Sequence, residues 1–60
     1  MSALQAKLER FETLAVECEM IASRALDGNN RELYLRLGAR YRDMATDMRN
    51  VIATVDGAAA

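Results

Sequence analysis

An all-α fold, an antiparallel two-helix hairpin, is what this 60-residue sequence predicts. Three observations predict it. Proline is absent, and Ala, Leu, Arg, Glu and Met, all good helix formers, dominate the chain. Apolar residues recur in alternating steps of three and four over two long stretches. Between those stretches lies one short polar interruption near the midpoint, "LDGNN", beginning at Leu26.

Each element follows in order. Ser2 with Gln5 three residues on is a capping-box pattern, so the first helix spans about residues 3–26. Asp27-Gly28 is expected to end it, with Gly28 in the left-handed conformation that glycine adopts without steric penalty. The turn is 27–29. Asn29 followed by Glu32 is a second capping pattern and opens a helix over about residues 30–56. Asp56-Gly57 closes it, and residues 57–60 read as a frayed tail. Two helices of ~25 residues, on the order of 37 Å each, joined by so short a link lie antiparallel.

The apolar spacing suggests how they pack. Leu4, Leu8, Phe11, Ala15, Cys18, Ala22 and Ala25 form one seam. Tyr34, Leu37, Tyr41, Met44, Met48, Val51 and Val55 form the other. Both have the 3.5-residue period of a coiled coil. Folded about the turn they match one to one, from Ala25 with Tyr34 through Ala22 with Leu37, Cys18 with Tyr41, Ala15 with Met44, Phe11 with Met48 and Leu8 with Val51 to Leu4 with Val55. Small residues then oppose large ones, the alternation that fills a core. Leu14 and Ile21 widen the stripe on the first helix, and Gly38, Ala45 and Ile52 widen it on the second. A stripe this wide serves more than one neighbour. These five are the expected partner interface. Val16 and Met20 fall on the opposite side as scattered surface residues.

Size makes association the natural route to stability. A chain of this length buries only about 60% of its unfolded surface. One cysteine and no histidine supply neither an internal disulfide nor the commonest metal ligand. The expectation is therefore a four-helix bundle formed with a second copy, or docking onto a larger protein.

The same residues argue against chemistry. Glu9, Glu12, Glu17 and Glu19 fall off the seam, and a di-iron bundle needs Glu-x-x-His motifs pointing inward. Cys18 has no histidine base and reads as a small buried hydrophobe. No catalytic residue, metal site or cofactor is expected. Tyr34 and Tyr41 read as core with hydroxyls at the rim.

Charge leaves one further candidate. Residues 31–60 hold five arginines against four acids, and residues 1–30 three basic against five acidic residues, giving a net charge of −1 for the chain. Arg31, Arg42 and Arg49 share one edge of the second helix and could contact RNA phosphates. Arg36 and Arg40 share another edge with Asp43 and Asp47, as on a solvated face. Small RNA-binding bundles of the Rop type use a similar hairpin-dimer plan, an analogy of fold alone.

No run approaches the roughly 20 apolar residues that span a bilayer, and "MSALQAKLER" lacks a signal-peptide core. Together with the lone cysteine this points to the cytoplasm.

Two stretches resemble a group of short alphaproteobacterial helical-hairpin proteins. The first, "RFETLAVECEMIA", fits R-x-x-x-L-A-x-E-C-x-x-x-A through Arg10, Leu14, Ala15, Glu17, Cys18 and Ala22. The second, "RELYLRLGARYRDMA", is similar to R-x-x-L-L-x-M-A-x-x-W-x-x-L-A through Arg31, Leu35, Leu37, Tyr41, Met44 and Ala45. Tyr34 stands where leucine is usual, Gly38 where alanine is and Tyr41 where tryptophan is. The resemblance covers roughly residues 10–45. It implies a bacterial cytoplasmic hairpin and brings no activity with it. The function expected from the sequence is a non-enzymatic protein–protein interaction module, homodimeric or an accessory subunit. A small RNA-binding bundle or a helical inhibitor of another protein is the alternative.

Overall fold

The computed structural model describes residues 2–59 and the side-chain surroundings of residues 2–55. It is an antiparallel pair of helices, α1 (Ala3–Arg24) and α2 (Gly28–Ala59). Ser2 caps α1 from an extended backbone, its hydroxyl accepting from the Gln5 N–H at 3.1 Å.

The turn is built differently from the expectation. α1 stops at Arg24, where Ala25 turns extended with φ −68° and ψ 131°. No described glycine has positive φ, so Gly28 is not a left-handed cap. It is instead the first residue of α2. Asp27 supplies the cap that was expected from Asn29: its carboxylate accepts from the Asn29 N–H at 3.1 Å, and its carbonyl accepts from the Arg31 N–H at 3.0 Å. The competing signal was Asp27 itself, a residue as good at capping a helix start as at closing a turn. Arg31 then reaches back and donates to the Ala25 carbonyl at 2.8 Å, covering the open end of α1. At the other end α2 runs through Asp56-Gly57 to Ala59, so residues 57–59 are helical where a tail was expected. Glycine permits this at a propensity cost of about 1 kcal/mol. Ala60 lies outside the described residues.

The α1 side of the seam has the expected members. Leu8, Ala15, Cys18 and Ala22 are buried, and Leu4, Phe11 and Ala25 are half-buried. On α2 the seam is Tyr34, Gly38, Tyr41, Ala45, Met48 and Ile52, all buried or half-buried. Leu37, Met44, Val51 and Val55 are exposed, which corrects their expected place between the helices. Gly38, Ala45 and Ile52, expected to face a partner, occupy it instead.

The reason is close approach. A Cβ built on Gly38 would lie 3.3 Å from the Cys18 Cβ and 3.4 Å from the Ala15 carbonyl oxygen. Helices this near leave no room for leucine or methionine between the backbones, so small residues meet small ones. Towards the open end the gap is filled by aromatic rings, Phe11 stacking on Tyr41 with centroids 6.3 Å apart and planes 25° apart. In the one-to-one register Phe11 had opposed Met48.

The result is a rod of 49 × 17 × 11 Å, one helix layer thick. Globular domains bury their apolar faces between two layers. This hairpin supplies one.

Candidate protein interaction surface

Along one edge of the hairpin the helices are joined by charge. Arg42 grips Glu19 with two parallel hydrogen bonds, Nε to Oε2 at 2.5 Å and Nη2 to Oε1 at 2.6 Å. One heptad further, Arg49 pairs with Glu12. The Arg42 guanidinium holds the Glu19 carboxyl below its ordinary range by hydrogen bonding to the ionised form. Arg31, Arg42 and Arg49, grouped from the sequence as a phosphate-contacting edge, do share this side, but each has a partner within the chain. Arg42 and Arg49 bind carboxylates and Arg31 binds a carbonyl.

The opposite face is apolar. At 100° per residue, Leu33, Leu37, Met44, Val51 and Val55 lie on the flank of α2 that points away from Arg42 and Arg49. All five are exposed, Leu33 and Val55 by 53%, Val51 by 46%, Met44 by 38% and Leu37 by 37%. In an antiparallel pair like flanks lie on the same side, so α1 adds Leu14, half-buried, and Ile21, 46% exposed. Leu14 and Ile21 thus stay where the sequence placed them, beside the seam and outward. Their companions on α2 are the large residues first assigned to the seam. The exchange was hidden because both α2 stripes obey the three-four spacing.

Two depressions open near the turn end, one on this face of α2 and one on the outer side of α1. One, of about 330 Å³, lies against Leu33, Leu37 and Arg40. The other, of about 260 Å³, lies against Met20, Ile21 and Arg24. Both are open to solvent; the first is mostly apolar, and the second is bordered by the charged Glu17 and Arg24. Bordering the face on its outer side, α2 carries Arg36, Arg40, Asp43 and Asp47, all exposed.

Cys18 is a buried free thiol packed against Gly38. Among the described residues, no three His, Cys, Asp or Glu side chains converge on a point where a metal could sit. Among the described residues no helix is long and apolar enough to cross a membrane. Comparison with known protein families, with curated proteins and with solved structures finds no match.

Proposed function

We propose that this chain is a non-enzymatic protein–protein interaction module, a helix layer that completes itself by packing its apolar face on partner helices. The observation that carries the reading is the division of the hairpin's two sides. One is closed by the Glu12–Arg49 and Glu19–Arg42 pairs, and the other exposes Leu33, Leu37, Met44 and Val51 beside Leu14 and Ile21. Among the described residues, those buried in the hairpin alone are Leu8, Ala15, Cys18, Ala22, Gly38 and Ala45, mostly small side chains. Such a core is thin for a 60-residue fold, and chains of this size usually draw on association for stability. Cytoplasmic residence fits the lone reduced thiol.

The test is helicity and molar mass together. Far-UV circular dichroism and light scattering would be recorded across a hundredfold range of concentration. The wild type is expected to be assembled and helical, with a melting temperature that rises with concentration. Leu37→Asp combined with Met44→Asp should lose the assembly, and much of the helix with it. A monomer that is fully helical, melts cooperatively at every concentration and is unmoved by that double substitution would overturn the reading.

A further inference from the structure

The outer border of the apolar face identifies its occupant. Along α2 it reads Arg36, Arg40, Asp43, Asp47, basic and then acidic about a centre between residues 41 and 42. Among the described residues, none of the four has an ion-pair partner. The apolar residues beside them are centred within about one residue of that point. Leu33 and Val51 lie equally far from residue 42, and Leu37 and Met44 straddle residues 40 and 41. A border that inverts its charge about its own middle is complementary to a copy of itself running the other way. Antiparallel helices bring like borders together, as the Glu12–Arg49 and Glu19–Arg42 pairs show within the hairpin.

Resting on the interaction reading, we propose that the face is covered by a second copy of this chain. The two copies are related by a two-fold axis that runs across the helices and passes α2 between residues 41 and 42. Arg36 then meets Asp47 of the second copy and Arg40 meets Asp43 of the second copy, and symmetry repeats both pairs. Leu33 packs near Val51 of the second copy, and Leu37 near Met44 of the second copy.

The same axis serves α1. Gly38 lies beside Ala15 and Cys18, so in the antiparallel pair residues 41 and 42 of α2 are level with a point about one turn further towards the start of α1, near Leu14. An axis crossing α1 there passes between Arg10 and Glu17, and sets Arg10 opposite Glu17 of the second copy. The other closed arrangement, with the axis along the rod, lays α2 on α1 of the second copy. It sets Arg36 and Arg40 about Glu17 and Asp43 and Asp47 about Arg10, so the four-fold charge reversal tells the two arrangements apart: only the axis across the helices regains its pairs in that variant.

Area agrees with this occupant. The hairpin exposes 4578 Å², whereas a compact monomer of 6.7 kDa exposes roughly 3,900 Å². The excess of roughly 700 Å² is close to the ~800 Å² that one partner contributes to a standard interface.

Charge reversal tests the arrangement, with dimer dissociation followed by sedimentation at low salt and helicity by circular dichroism. One variant carries Arg36→Asp and Arg40→Asp, a second Asp43→Arg and Asp47→Arg, and a third all four changes. Each of the first two should weaken its own dimer by about tenfold or more, since four attractive pairs become repulsive. Mixing those two, or combining the changes in the third, should restore wild-type affinity. A wild-type dimer that the half-reversed variants leave unchanged would overturn the axis and leave the interaction reading standing. A partly helical wild-type monomer would overturn the second copy as occupant, pointing to a different protein on the face. A fully helical, stable monomer would overturn both.

Discussion

Arg42 binds both carboxylate oxygens of Glu19 across the hairpin, a contact between residues 23 positions apart in the chain. It joins α2 to α1 along one side, beside the tight contact at Gly38 between them. The pair also has a pH signature. Glu19 is held below its ordinary range in the folded state, so its contribution is complete at neutral pH. It begins to fall only as the pH drops through the ordinary carboxylate range, and is gone below the depressed folded value. Acid titration of the melting temperature should show this loss, and Glu19→Gln should flatten that limb of the curve while lowering the melting temperature slightly at pH 7. An unchanged acid limb in the variant would mean the pair adds no stability.

Gly38 weighs helix propensity against packing. Alanine there would gain up to about 1 kcal/mol of propensity. Its Cβ would also press on the Cys18 Cβ at 3.3 Å and on a backbone carbonyl at 3.4 Å. Gly38→Ala should therefore change unfolding free energy little, while Gly38→Val should lower it by about 1–3 kcal/mol through overpacking. Urea unfolding of the two variants decides this. Val tolerated as well as Ala would show that the helices do not approach so closely.

The corrected cap separates two neighbouring residues. Asp27→Ala removes the acceptor of the Asn29 N–H and should cost about 1 kcal/mol of stability. Asn29→Ala should be near neutral, because its side chain caps nothing in the structure. The reverse ranking in thermal unfolding would restore Asn29 as the cap.

Cys18 is buried under Gly38, so a thiol reagent can reach it only when the helices part. Its reaction with Ellman's reagent should be slow in native buffer and should quicken with sub-denaturing urea in step with lost helicity. Immediate labelling of the native protein would contradict the packing around Ala15, Cys18 and Gly38.

The α1 half of the fold was legible because its pattern has one solution. Leu4, Leu8, Phe11, Ala15, Cys18, Ala22 and Ala25 form a single stripe, with Glu12 and Glu19 on one flank and Leu14 and Ile21 on the other. α2 offers two overlapping stripes that share Tyr34, Tyr41 and Met48. They differ by a rotation of only about 50° at 100° per residue. Filling volume with Leu37 and Met44 favoured one of them. The short reach of Ala15, Cys18 and Ala22 across to Gly38 and Ala45 favours the other, and that reach is a distance, which spacing along a chain does not contain.

By itself the sequence determined two helices, a turn near the midpoint and the residues α1 turns inward, because apolar period, helix propensity and a polar interruption act locally. Only the tertiary structure decided which stripe of α2 faces α1. It also decided that Arg42 and Arg49 are held by glutamates and that Leu33, Leu37, Met44 and Val51 remain exposed. Those outcomes depend on how closely two helices can approach, and that depends on the atoms of both at once.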